Sequence, residues 1–182
     1  MNTANKLTLL RVILVPVVMV LLLQNTQALQ IAALAVFVIA SITDWLDGYI
    51  ARKYNQISTF GKFVDPLADK MLTTAAFVIF LYLGIMSPWA LMIVLAREFM
   101  IAGIRLVAAG EGEVIAASMW GKVKTVSQML AIIVTILIMG NETVLGVSSQ
   151  LIIDVLIWVS VVFAVISGAE YMIKNRKVIS FK

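Results

Sequence analysis

Asp44, Asp47, Asp65 and Asp69 are the residues whose type and spacing could do chemistry. They stand in two runs, Thr43-Asp44-Trp45-Leu46-Asp47-Gly48-Tyr49-Ile50-Ala51-Arg52 and Gly61-Lys62-Phe63-Val64-Asp65-Pro66-Leu67-Ala68-Asp69-Lys70, the first ending one apolar stretch and the second opening the next. On a helix that advances about 100° per residue, Asp44, Asp47, Gly48 and Ala51 fall within a stripe roughly 100° wide, and Asp65 and Asp69 lie about 40° apart on the facing helix. Each helix thus aims two carboxylates across one gap. Four negative charges in apolar segments repel unless a cation joins them. Oxygen donors without nitrogen or sulfur select Mg²⁺ or Mn²⁺ over zinc, and a pair of ions is expected. Gly48 and Ala51, small residues beside Arg52, would let a pyrophosphate bridging two such ions approach the backbone.

A plainer role for the aspartates is capping of helix ends. It suits Asp65, which precedes Pro66 as an N-cap precedes a proline at the first helical position. It does not account for Asp44 and Asp47, which lie inside an apolar run. The absence of histidine and cysteine excludes imidazole bases, histidine nucleophiles, thiolate chemistry and disulfides. No serine is visibly paired with a base, so no serine nucleophile is indicated.

The elements that must position these residues are membrane spans. Of 182 residues, 62% are hydrophobic and 13% charged, more apolar than a water-soluble domain of this size can bury. Six stretches, 6–24, 29–53, 62–83, 87–110, 118–139 and 150–173, are each long enough to cross a bilayer. The expected fold is an all-α integral membrane protein of six transmembrane helices, with residues 1–182 forming a single membrane domain. Lys and Arg collect at the start of the first stretch, around the 2–3 and 4–5 connections and at the C-terminus, whereas 25–28, 84–86 and 140–149 contain none. Cytoplasmic flanks accumulate such residues, so both termini and the aspartates are expected on the cytoplasmic side of a multi-pass cell-membrane protein. A cleaved signal peptide is the alternative for the first stretch, but Pro16 and the length of the run leave no clear small-x-small cleavage site. The net charge of +4 suits contact with anionic lipid and is too small to argue for nucleic acid.

A second set of charges lies in the fourth and fifth stretches. Arg97 and Glu98 stand near the middle of the fourth, Arg105 near its cytoplasmic end, and Lys122 and Lys124 begin the fifth. A phosphate ester bound at the level of the aspartates would need such cations. Interfacial snorkelling of the basic side chains is the competing explanation. Arg97 is too deep for that, and a structural pair with Glu98 of a neighbouring subunit or another helix is equally compatible. Trp89, Trp120 and Tyr171 fit interfacial aromatic belts.

The spacing Asp44-x-x-Asp47-Gly48-x-x-Ala51-Arg52, eight residues, then Gly61-x-x-x-Asp65-x-x-x-Asp69 resembles the signature of the CDP-alcohol phosphotransferase family at every fixed position. Asn5-Lys6-Leu7-Thr8-Leu9-Leu10-Arg11, Ala96-Arg97-Glu98 and Gly121-Lys122-Val123-Lys124-Thr125 resemble segments of its bacterial phosphatidylglycerophosphate synthase branch. Residues 140–182 contribute topology only. The resemblance implies transfer of a phosphatidyl group from CDP-diacylglycerol to glycerol 3-phosphate, releasing CMP, by a homodimer. It implies that Asp44, Asp47, Asp65 and Asp69 bind two metal ions and that Asp69 also deprotonates the attacking hydroxyl. Gly48, Ala51 and Arg52 would hold the cytidine diphosphate, with Gly61, Asn5 and Thr8 beside that donor. Arg105, Lys122, Lys124 and Arg97 would meet the acceptor phosphate.

Two alternatives remain at this level. The same chemistry could take inositol phosphate, serine or phosphatidylglycerol as acceptor. A cation transporter could use the acidic cluster as an ion site, although such sites favour the bilayer midplane and broken helices. Single cysteines at Asn25 and Asn141 should react with an impermeant thiol reagent in intact cells, and one at Asn55 should not. Labelling at Asn55 but not at Asn141 would reverse the orientation.

Overall fold

A computed structural model describes residues 3–24, 26–53, 59–110, 112, 115, 116, 118–139 and 149–176, with side chains described there except at 3–5, 44–53, 59–67 and 69. The described residues form helices and their connections, with no strand among them. In chain order these are α1 (Thr3–Leu23), α2 (Gln27–Lys53), α3 (Thr59–Tyr82), α4 (Pro88–Gly110), α5 (Met119–Met139) and α6 (Ser149–Lys174). They match the six apolar stretches to within three residues at each end. Three helical segments are long and apolar enough to cross a membrane: Lys6–Leu23, Met119–Met139 and Ser149–Lys174. α4 has the length but carries Arg97, Glu98 and Arg105.

Helix ends follow local chemistry. Ser87 precedes Pro88, whose missing N–H costs nothing at a first helical position, and the Ser87 carbonyl accepts the Leu91 N–H at 3.2 Å. Ser118 caps α5, its Oγ accepting the Gly121 N–H at 3.0 Å. Beyond α3, Gly84 adopts φ 73°, the left-handed conformation that lets a helix stop and the chain turn. The N-cap role considered for Asp65 does not hold, because α3 begins at Thr59 and runs through Asp65 and Pro66.

The chain forms two compact units, Met1–Tyr82 with Ile132–Gly146 and Leu83–Ala131 with Val147–Lys182. In the first unit α1 packs on both α2 and α3. Its buried face is Thr8, Arg11, Val15, Val18 and Leu22, spaced three and four residues apart as a helix requires. The first two are polar and lie near the N-terminal end, and the rest are apolar. α2 answers with Ala33, Phe37 and Ala40, and α3 with Leu72, Ala76 and Phe80. The short connection at 24–26 makes α1 and α2 antiparallel. The interval from Lys53 to Thr59 spans at most roughly 20 Å of chain. The start of α1, the end of α2 and the start of α3 therefore share one end of this unit.

In the second unit α4 packs against α6 around Ile101, Ile104 and Tyr171, with Met100 and Ile115 against them. The ring of Trp120 on α5 stacks on Phe163 of α6, centroids 6.2 Å apart. Helices in lipid gain their association from such close packing, since apolar surface has no water to escape. Ala33, fully buried between helices, is therefore a position where added volume should strain the first unit. Ala33→Leu should destabilise the protein by about 1–3 kcal/mol, read as a lower thermal midpoint in detergent, whereas Ile31→Leu on the exposed side of the same helix should leave the midpoint unchanged.

Candidate active site

Candidate residues occur in each of the two units. In the first unit the helix ends carrying Asp44, Asp47, Gly48, Ala51 and Arg52 (α2) and Gly61, Asp65 and Asp69 (α3) share one end. Their side chains, and that of Asn5, lie outside the described residues. By helix register Asp44 and Asp47 share one face of α2, and Asp65 and Asp69 share one face of α3. Thr8 and Arg11 on α1 are each 1% exposed at this same end. A guanidinium and a hydroxyl are thus taken out of solvent at the end of the unit where α2 stops and α3 starts. Among the described residues no group of three or more acidic, histidine or cysteine side chains forms a metal site. The expected metal set lies outside them.

In the second unit the charges read from sequence are brought into a network. Glu98, 9% exposed, accepts a hydrogen bond from Arg97 Nη1 at 2.9 Å and a short ion-pair contact from Lys124 Nζ through the same oxygen, Oε1. Arg97 Nε donates to Ser167 Oγ at 3.0 Å, so this guanidinium joins α4 to α6 while the carboxylate beside it joins α4 to α5. Glu98 and Arg97 pair within one chain, as sequence neighbours. A partner from a neighbouring subunit is not needed to explain either.

Arg105, two turns along α4, behaves differently. It is exposed, and its Nε donates to the Tyr171 hydroxyl at 3.2 Å, with the guanidinium carbon 5.7 Å from the centre of the Tyr171 ring. Tyr171 is 3% exposed, so the reading of it as an interfacial-belt residue is corrected. Its ring is packed against Ile101 and Ile104, and its hydroxyl is used inside the protein. Trp120, read the same way, is engaged with Phe163. Lys122 is exposed and Lys124 buried, as expected for positions about 160° apart around α5.

Sequence reasoning missed Ser167 and Tyr171, and with them any role for α6 beyond topology. The available signal was a polar pair four residues apart, hence on one face, within an apolar helix. The partnership of Glu98 with Lys124 was equally invisible, because the two are separated by 26 residues and lie on different helices.

A model of the CDP-alcohol phosphatidyltransferase family matches residues 1–166. The chain belongs to that family. It is 43% identical to a CDP-diacylglycerol–glycerol-3-phosphate 3-phosphatidyltransferase of Bacillus subtilis, over 96% of this chain and 95% of the relative. A protein of the same name from Rickettsia bellii is 34% identical over 97% of this chain and 96% of its own length. A probable phosphatidylglycerophosphate synthase of Mycobacterium tuberculosis is 37% identical, covering 94% and 80% respectively. The family expected from the aspartate spacing is thus the family found.

The ion-pair network has an energetic consequence. Glu98→Gln would leave the Lys124 ammonium buried without its carboxylate, a loss typically of about 3–5 kcal/mol for a buried pair deprived of one partner. The thermal midpoint in detergent should fall accordingly, and Lys124→Met in the same chain should recover much of it.

Proposed function

We propose that this protein transfers a phosphatidyl group from CDP-diacylglycerol to sn-glycerol 3-phosphate, giving phosphatidylglycerophosphate and CMP for phospholipid biosynthesis. The observation that carries the choice of acceptor is the charge distribution on α4 and α5. α4 and the first turns of α5 carry Arg97, Arg105, Lys122 and Lys124 against a single carboxylate, Glu98, which pairs with Arg97 and Lys124 and not with Arg105. That excess of positive charge suits a phosphate ester and disfavours a neutral alcohol or serine. Arg105 is the residue best placed for it. Tyr171 occupies Nε alone, and the two Nη groups make no hydrogen bond among the described residues, leaving the forked end of the guanidinium for two phosphate oxygens.

The donor belongs to the first unit. Asp44, Asp47, Asp65 and Asp69 form an all-oxygen donor set suited to a pair of Mg²⁺ or Mn²⁺ ions, and a topology that brings the end of α2 near the start of α3 supports that role. Bound there, the ions would offset the negative charge that develops on the departing CMP phosphate. Gly48, Ala51 and Arg52 hold the cytidine diphosphate, Gly61 permits close packing beside it, and Asn5 and Thr8 line the same end from α1. The acceptor hydroxyl oxygen forms a bond to the phosphatidyl phosphorus, the bond from that phosphorus to CMP breaks, and the hydroxyl proton passes to the Asp69 carboxylate. Orientation of the two substrates supplies much of the remaining rate.

This reading places the whole chain, 1–182, in the membrane as six spans with both termini and the active site cytoplasmic, where both soluble substrate and soluble product are found. The basic flanks support that orientation, and a homodimer accords with the family resemblance.

The test is CMP release by purified protein from CDP-diacylglycerol, with acceptors added singly. Release should require a divalent ion and glycerol 3-phosphate. Asp69→Asn should abolish turnover while retaining donor binding, and Asp44→Asn should lose both. Near-normal turnover by Asp69→Asn at saturating metal would refute the base assignment, and equal release with serine would refute the acceptor.

A further inference from the structure

α6 carries no residue of the aspartate signature, yet it supplies a built surface for the arginines of α4. Ser167 and Tyr171 are four residues apart and share a face of the helix, and both are buried. The hydroxyl of each accepts from the Nε of an arginine on α4: Ser167 from Arg97 at 3.0 Å and Tyr171 from Arg105 at 3.2 Å. Between them Gly168 allows α4 to approach. A Cβ at that position would stand 3.2 Å from both Arg97 Cγ and Met100 Cε, closer than side chains ordinarily tolerate. The close approach and the two hydrogen bonds therefore belong to one arrangement.

The two arginines are held for different ends. Arg97 is also bonded to Glu98 and is committed to the interior. Arg105 is exposed and gives α6 only its Nε, while its cationic carbon lies against the Tyr171 ring. A flexible arginine must lose rotamer freedom when it grips a ligand. A hydrogen bond donated by Nε and an aromatic surface at cation–π distance restrict that freedom in advance and leave the terminal nitrogens to bind.

We propose that Tyr171 is a positioning residue for acceptor recognition: its hydroxyl and ring fix the Arg105 guanidinium so that its two Nη groups meet the phosphate of the acceptor. The proposal rests on the reading of Arg105 as an acceptor-phosphate ligand. Tyr171 itself does not touch the substrate. Removing its hydroxyl should weaken acceptor binding only through Arg105.

Steady-state kinetics of Tyr171→Phe, Arg105→Gln and the double variant, each with glycerol 3-phosphate and CDP-diacylglycerol varied in turn, test this. Tyr171→Phe should raise the KM for glycerol 3-phosphate by roughly three- to tenfold, the worth of one hydrogen bond. Its KM for CDP-diacylglycerol, its kcat and its thermal midpoint should stay within about twofold or a few degrees of the parent. In the Arg105→Gln background the same change should add no further rise, because the group through which it acts is gone. If Arg105→Gln raises the acceptor KM and Tyr171→Phe does not, the positioning role is overturned and the acceptor reading stands. If Arg105→Gln leaves the acceptor KM unchanged, the acceptor reading falls and takes this role with it. Equal rises in both KM values for Tyr171→Phe, or an undiminished effect in the double variant, would mark Tyr171 as part of the general fold and overturn the proposal.

Discussion

Charge placed inside apolar helices must be satisfied by other parts of the same protein, and the Glu98 carboxylate is where this requirement organises the second unit. One oxygen receives both Lys124 from α5 and Arg97 from α4, and Arg97 passes the connection on to Ser167 of α6. Removing any member strands a buried charge or polar group, so three helices are held in one relation by a few polar contacts. The apolar packing of Ile101, Ile104 and Tyr171 then fills the space around them. The arrangement also leaves more positive than negative charge along α4 and α5. Thus the contacts that hold the helices also create a field able to attract an anionic substrate.

The first unit follows the same rule with a different composition. α1 buries Thr8 and Arg11 at one end and Val15, Val18 and Leu22 beyond them, so polarity is confined to a single end of an apolar helix. The antiparallel course of the chain delivers the ends of α2 and α3, with their four aspartates, to that end.

Much of this was legible in the sequence, for physical reasons. The six helices could be read because spans need long apolar runs, and connections such as Ser87-Pro88 and Gly84 are marked by residues that start or stop helices. The aspartates stand out because two carboxylates at helical spacing in an apolar run have no inexpensive structural explanation, and their side chains lie outside the described residues. Partners on different helices could not be read. Glu98 and Lys124 are 26 residues apart, and Arg105 and Tyr171 are 66 apart, so helical spacing says nothing of either pair. Tyr171 was misplaced because an aromatic residue near the end of a span is the usual mark of the lipid interface, whereas here its hydroxyl has an internal partner. The capping alternative for Asp65 arose because Asp-Pro is a common helix start, although the apolar stretch at 62–83 already began before it, as α3 does.

Under the proposed function, recognition of the acceptor is recognition of its phosphate. Calorimetric titration of the purified protein in detergent, with the donor absent, measures this without turnover. Glycerol 3-phosphate should bind at one site per chain, with an affinity that falls as salt is raised and drops by roughly tenfold or more in Arg105→Gln, while glycerol at the same concentrations gives no heat of binding. Equal binding of glycerol, or binding of glycerol 3-phosphate that is indifferent to both salt and Arg105, would contradict it.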